Sequence, residues 1–298
     1  MYTNKDHKNV YVVFSGSGVK FPYFIGVLRY LIDNDYNIKG IAGTSGGSLV
    51  AGLYTSNILS SQDLMIFARD FRFTDIMTLN WKSFFKLGLY KWNEIKFINI
   101  LHDYGINAFN LVNKQKIKLK IVTSNISKND YEYLKDVQLY KAILASMTVP
   151  FIFQPCNINN NYYVDGGLTI NFDTNIWDCE NSNSSYPVLG FYFKDNKMTY
   201  DKPKNIVEYM DMLLNTSINS QEKIQMNLEK YINQNYFNIP IYTNYPSFKF
   251  KVTNEDVKKM LDQGYNQAKM FLEEVFSERL SNHFLKQIYS IHTDINRK

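Results

Sequence analysis

The sequence predicts an α/β fold, a mainly parallel sheet covered by helices. Three observations carry that reading. Strand, helix, strand and helix signals alternate between Val10 and Ser56. A glycine-bearing turn follows each of those two strands, at the carboxyl ends where open parallel sheets hold their ligands. The chain has 298 residues, 45% of them apolar and 20% charged, which suits one large layered domain and excludes a disordered or fibrous chain.

The elements follow in order. Val10-Tyr11-Val12-Val13-Phe14 is β-branched and aromatic and ends at the turn Ser15-Gly16-Ser17-Gly18, so it reads as a buried strand. From Pro22 to Asn34, the residues Ile25, Leu28, Leu31 and Ile32 recur at helical spacing. Ile38 to Ala42 is a second short strand and Ser45 to Ser56 a second helix. Later strands are expected at Leu119 to Ser124, Pro187 to Phe193 and Asn238 to Tyr242. Later helices are expected at Val137 to Ser146, Ile206 to Met226, Asn254 to Phe276 and Glu278 to Ile291. Thr253 followed by Asp256 is a helix start signal. Asn-rich patches at Asn157 to Asn161 and Asn181 to Ser185 read as surface turns. Composition changes most sharply near Asn181, with neither an internal repeat nor a long Gly/Ser linker. Residues 10–178 are therefore expected to form the motif-bearing core, and residues 179–298 to complete the same domain with further strands and helices.

The net charge of +5 and a pI near 8.8 favour an anionic surface over a neutral one, but no run of Lys and Arg is dense enough to argue for nucleic acid. Cys156 and Cys179 are too few for a disulfide framework or a four-ligand zinc site and read as reduced thiols. Met1 to Asn9 is polar, and Val10 to Phe14 is too short for a signal-peptide core. No stretch reaches the ~20 apolar residues that span a bilayer. The expected location is cytoplasmic or peripheral at a membrane, with export lacking a cleaved signal left open.

Glycine placement carries the functional signal. Ten of the 14 glycines fall in three short segments. The middle one, Gly40-Ile41-Ala42-Gly43-Thr44-Ser45-Gly46-Gly47-Ser48, contains the nucleophile-elbow pattern Gly43-x-Ser45-x-Gly47 between a strand and a helix. Such a turn presents Ser45 at a helix N-terminus, where the dipole favours a developing anion; the plainer alternative is a helix N-cap. Gly16-Ser17-Gly18-Val19-Lys20 follows the first strand. As a dinucleotide fingerprint it fails at its third position, where Phe21 replaces glycine. It reads either as a nest of N–H groups for an oxyanion or as an ordinary β-to-α turn. Tyr163-Val164-Asp165-Gly166-Gly167 delivers a carboxylate into a turn. Alone it is a surface turn; beside the other two segments, Asp165 becomes the natural base for Ser45.

Together and in this order, the three segments resemble the patatin-like phospholipase family. Gly16 to Lys20 resembles its oxyanion loop, Gly26-Val27-Leu28 the start of its first helix, and Gly43 to Gly47 its nucleophile motif. Ala145-Ser146, Pro150 and Phe153 resemble its run into Asp165-Gly166-Gly167, and Gly264-Tyr265 looks similar in a late helix. The likeness covers Val10 to Asn171. It implies a three-layer α/β/α fold with a mainly parallel central sheet and helical C-terminal additions. It further implies a Ser45–Asp165 dyad without histidine. Ser45 would form an acyl-enzyme, and Asp165 would serve as base and then acid. Gly16, Ser17, Gly18, Val19 and Gly46 would form the oxyanion hole, Lys20 would organise the loop, and Gly43, Gly47, Gly166 and Gly167 would be motif glycines. Neither metal nor cofactor is implied. The implied substrate is phospholipid or another long-chain acyl ester, with peripheral membrane contact.

Three residues depart from the family pattern. Phe21 replaces the usual glycine and stands to narrow the acyl site, Ser17 replaces a loop glycine, and Asp173 stands where proline is frequent. A catalytically silent lipid-binding relative is therefore the alternative. A second alternative is a Ser–Asp–His esterase using His283 or His292; His7 and His102 also lie outside the glycine segments. Finally, Phe71, Phe73, Trp81, Phe84, Phe85, Tyr90 and Trp92, interleaved with Lys82, Lys86 and Lys91, suit either a flap over an acyl pocket or core packing under a helical cap.

Overall fold

The computed structural model describes residues 8–57, 60–79, 87–178, 186–194, 202–204, 206–229 and 236–276. In chain order these contain β1 (Asn9–Phe14), α1 (Phe21–Asp33), β2 (Asn37–Thr44), α2 (Gly46–Asn57), α3 (Ser61–Asp70), α4 (Phe73–Ile76), β3 (Met77–Leu79), β4 (Gly88–Trp92) and α5 (Glu94–Asp103). There follow β5 (Lys118–Asn125), β6 (Asp130–Leu134), α6 (Leu139–Ser146), β7 (Phe151–Phe153), β8 (Cys156–Ile158) and β9 (Asn161–Asp165). The last are β10 (Val188–Lys194), α7 (Ile206–Glu229), β11 (Tyr236–Tyr242) and α8 (Asn254–Met270), which runs into a π-helical turn at Phe271–Phe276.

The main sheet has the order β11-β10-β1-β2-β5-β9-β8, with β6 also paired to β5. The run from β11 to β5 is parallel throughout, as the strand–helix alternation predicts. The pairings of β6, β8 and β9 are antiparallel. β1 is buried on both faces, and its alternate residues enter two different cores. Val10, Val12 and Phe14 join the larger core with residues of α1, α2, α3, α6 and α8. Tyr11 and Val13 face the smaller one, with Phe172, Ile176 and Trp177 from the segment that follows Asp165. Tyr11 stacks on Trp177 at 4.7 Å.

α1 and α8 cross at unusually close range because a glycine on each meets the other's backbone. A Cβ on Gly26 would lie 2.2 Å from the Leu261 carbonyl oxygen, and one on Gly264 would lie 2.0 Å from that of Tyr23. The Thr253–Asp256 start signal forms a complete capping box. The Asn-rich patch at 157–161 is a hairpin turn between β8 and β9, with Asn159 and Asn160 both at positive φ.

Some elements escape the sequence reading. The helix expected from Val137 begins at Leu139. α3 carried its own unread signal, the Ser60–Asp63 capping box. The separate three-stranded sheet β3-β4-β7 includes strands of three residues, too short for a period to show. The expected helix at 278–291, the turn at 181–185 and Cys179 lie outside the described residues. Among the described residues, no helix is long and apolar enough to cross a membrane.

Candidate active site

The site forms where two strands share one edge of β5. Along that edge Thr44 of β2 pairs with Val122, and Asp165 of β9 pairs with Thr123, the next residue. β2 runs parallel to β5 and β9 antiparallel, so their carboxyl ends meet head to head. β6 occupies the opposite edge over the same stretch. Ser45, one residue past β2, and Asp165, the last residue of β9, are thus brought to one junction.

Ser45 sits on a strained turn with φ 52°, in the left-handed region that a serine rarely adopts. Its N–H donates to Ser146 Oγ at 2.9 Å, and that hydroxyl donates to the Val122 carbonyl at 2.6 Å. Its carbonyl accepts from Ser48 N and Oγ at 2.9 and 2.6 Å. The tight turn works because Gly43 and Gly47 nearly touch: a Cβ on Gly43 would lie 2.3 Å from Gly47 O. Gly46 opens α2, so the positive end of that helix dipole faces the hydroxyl.

Asp165 is 5% exposed and Ser45 6%. Asp165 Oδ1 accepts the Gly167 N–H at 2.8 Å, while its own N–H donates to Thr148 O and its carbonyl accepts from Ser124 Oγ, both at 2.8 Å. Burial pushes its carboxyl up from 3.8 to about 6, opposed by the Ser45 hydroxyl and the Gly167 N–H, both of which stabilise the anion. Gly166 closes the junction from below, packed against Val122 and Thr44.

The loop before α1 faces the same turn, but its donors are not all available. The Gly16 N–H is committed to Asn171 O at 3.1 Å, and the Val19 N–H to Ser247 O at 2.9 Å. This corrects the expected donor set: Gly16 and Val19 anchor the loop instead of offering N–H groups. Ser17 and Gly18 keep theirs without an acceptor among the described residues, beside Gly46. Lys20 is buried, its ammonium 4.3 Å from the centre of the Phe193 ring.

Phe21 also corrects an expectation. Its φ of −50° makes no demand for glycine. Its ring turns away from Ser45 to meet Phe67, Phe71 and Phe73 edge-on at 6.5, 5.7 and 5.8 Å. It lines a neighbouring hollow with Pro22, Phe71 and Val257, not the cavity that holds Ser45. Asp173, at the other departure, is buried and accepts a hydrogen bond from Tyr133.

Ser45 opens into a small cavity of about 20 Å³, room for a single water, lined by Trp92, Met147, Val149, Phe153, Phe248 and Phe250 together with Gly18 and Phe73. Trp92 stacks on Phe153 at 3.8 Å and its indole N–H donates to Thr148 Oγ1 at 2.9 Å. The expected aromatic flap divides accordingly. Phe71 is core, Phe73 is buried and also lines the cavity, Trp92 lines the cavity, and Trp81, Lys82, Phe84, Phe85 and Lys86 lie outside the described residues. His7, His283 and His292 lie outside them too, and His102 is exposed at the end of α5. The Cys156 thiol is pushed up to about 11 by burial, which makes it a poor nucleophile.

Three contributors were assigned no role from sequence: Ser146, Asn171 and Ser247. Ser146 and Asn171 lay within or at the end of quoted motif runs, so a signal existed. Ser247 carried none, because it acts through its carbonyl.

A family profile described as patatin-like phospholipase matches residues 12–176, more than half of the chain. The chain is 23% identical to the uncharacterised protein YqhO of Bacillus subtilis, over 88% of this chain and 97% of that one. It is 24% identical to probable lipid hydrolase 463L of Invertebrate iridescent virus 6, over 55% of this chain and 62% of that one. It is 25% identical to lysophospholipase NTE1 of Mycosarcoma maydis, over 55% of this chain but only 9% of that much longer protein. Among solved structures, VipD from Legionella pneumophila superposes with a TM-score of 0.55 at 15% identity, covering 90% of this chain and 67% of that one.

Proposed function

The chain belongs to the patatin-like phospholipase family, and on that premise we propose that it is a lipid acyl hydrolase with Ser45 as nucleophile and Asp165 as the proton-transferring group. The observation that carries this reading is the meeting of a strained serine and a buried carboxyl at the β5 edge, with the serine bordering an apolar cavity. The viral and fungal relatives, named as a probable lipid hydrolase and a lysophospholipase, support the same substrate class.

Ser45 Oγ attacks the carbonyl carbon of an acyl ester as its proton passes to Asp165. The oxyanion so formed takes hydrogen bonds from the N–H groups of Ser17 and Gly18, with the N-terminus of α2 behind it. When the bond to the alcohol oxygen breaks, Asp165 returns the proton to the leaving alcohol. A water then gives a proton to Asp165 and attacks the acyl-enzyme. Collapse frees the fatty acid and restores the Ser45 hydroxyl. A carboxyl raised to about 6 is a stronger base than an ordinary aspartate and stays ionised at neutral pH. The walls of the cavity are apolar like an acyl chain, and a chain enters only when those walls move apart. Peripheral contact with a membrane, and a location in the cytoplasm or at a membrane surface, belong to this reading.

The test is labelling with a fluorophosphonate together with fatty-acid release from phospholipid vesicles. Wild type should label and release; Ser45→Ala should do neither, and Asp165→Asn should lose release. Wild type that releases nothing from any lipid or short ester leaves the binding-module reading in place. If His283→Ala or His292→Ala is as damaging as Asp165→Asn, the triad reading replaces the dyad.

A further inference from the structure

The small sheet β3-β4-β7 carries an unusual exposed surface. Leu87, just before β4, is 74% exposed; Phe151 on β7 is 62% exposed; Leu79 on β3 is 48% exposed. They are neighbours, since Gly88 pairs with Phe151 and Leu79 with Tyr90. Leu87 and Phe151 also share a backbone oddity, with φ of 60° and 68°. Bulky apolar residues rarely occupy the left-handed region, and such outliers concentrate at functional sites. Here the unfavourable conformation coincides with apolar side chains displayed to solvent.

The same sheet delivers Trp92 and Phe153 to the Ser45 cavity, so the patch lies beside that cavity. Phe248 and Phe250 close the cavity from another segment, and Lys249 and Lys251 alternate with them on the exposed side. Residues 77–79, 87–92, 147–153 and 245–252 hold Lys91, Lys249 and Lys251 and not one acidic residue. Asp256, which accepts from the Tyr245 hydroxyl, partly balances Lys249, while Lys91 and Lys251 add exposed positive charge. An apolar patch bordered by a net excess of cations and placed beside the Ser45 cavity matches an anionic lipid surface in both polarity and charge.

We propose that Leu79, Leu87 and Phe151 dock the protein on an anionic phospholipid bilayer, with Lys249 and Lys251 at headgroup level and the Ser45 cavity beside the contact. The proposal deepens the acyl-hydrolase reading, which it needs only for what enters the cavity; docking itself requires no turnover.

The experiment is therefore run in the Ser45→Ala background, by co-sedimentation with vesicles of phosphatidylcholine alone and of phosphatidylcholine and phosphatidylglycerol in equal parts. The paired change Leu87→Asn/Phe151→Asn removes apolar surface while keeping residues that tolerate positive φ. It should weaken binding to mixed vesicles at least about tenfold, from the apolar area no longer buried. A second variant, Lys249→Gln/Lys251→Gln, should lose the preference for mixed vesicles, an effect that added salt should mimic. Mixed-vesicle binding unchanged in both variants, or absent in the Ser45→Ala parent, overturns the proposal. So does a patch variant that changes the sedimentation of the protein alone, since the patch would then join two copies of this chain. Failure of Ser45-dependent hydrolysis with docking intact counts against the catalytic reading alone.

Discussion

The Ser45 N–H and the Ser146 hydroxyl are joined by a 2.9 Å hydrogen bond that spans 101 positions of sequence. The Ser146 hydroxyl is fully buried and donates onward to Val122, so it ties the elbow to β5. Left-handed backbone costs a non-glycine residue about 1–2 kcal/mol, and this bond helps hold Ser45 there. Ser146→Ala would leave a buried N–H without its acceptor, a loss of about 1–3 kcal/mol. We expect kcat on a soluble ester to fall roughly 10-fold to 100-fold while KM changes little, since ~1.4 kcal/mol is tenfold in rate. Ser146→Thr, which keeps the hydroxyl, should recover most of the loss. Steady-state kinetics on the three proteins decide this.

On the proposed mechanism, Asp165 sets the acid limb of the pH profile. The base must be ionised, and burial has raised its pKa to about 6. Activity should therefore decline as pH falls through about 6, well above the range in which an ordinary aspartate titrates near 3.8. A kcat/KM profile that stays flat down to pH 5 would contradict this assignment.

The same group makes a prediction about stability. Its folded-state pKa lies above the unfolded value, so its stabilising contribution is complete below about pH 4 and lost as pH rises through about 6. At pH 8 the native state holds a buried carboxylate. Asp165→Asn removes that charge and keeps an oxygen for the Gly167 N–H. The variant should gain stability on the order of 3 kcal/mol over wild type at pH 8 and nothing at pH 4. Paired urea titrations at the two pH values check it.

Phe21→Gly restores the residue common in the family and tests whether Phe21 marks a silent relative. The ring packs on Phe67, Phe71 and Phe73, so its removal should cost roughly 3–5 kcal/mol as for a large core aromatic. Specific activity of the folded fraction should be close to wild type, because the ring does not line the Ser45 cavity. A large gain in activity would show that Phe21 does obstruct the site.

Gly264→Ala should be among the most damaging small changes outside the site. The added carbon would lie 2.0 Å from the Tyr23 carbonyl oxygen, which is backbone and cannot swing aside. α1 and α8 would have to separate, at a cost of about 1–3 kcal/mol or more. A fall in melting temperature measures it; an unchanged value would mean that the helices slide apart freely.

The tight turn at Ser45 was legible because it needs small residues on both sides, a local demand written in Gly43, Gly46 and Gly47. The parallel strands were legible because both of their faces are buried, which leaves continuous β-branched and aromatic runs such as Val10 to Phe14. The acidic partner was readable as a type, a carboxylate before two glycines, though not as a position in space. Three-residue strands and carbonyl contacts such as Ser247 O left no trace, since neither has a period or a side-chain requirement.

By itself the sequence determined the fold class, the family likeness and the two residues on which the chemistry is proposed to rest, because each depends on local backbone geometry or on apolar periodicity. Only the tertiary structure decided the rest. It committed the N–H groups of Gly16 and Val19 to carbonyls of distant segments, turned Phe21 away from Ser45, and raised Asp165 by burial. The physical reason is common to all three: hydrogen-bond partners, ring contacts and exclusion of water are supplied by segments far away in the chain, and no window of sequence contains both sides of such a contact.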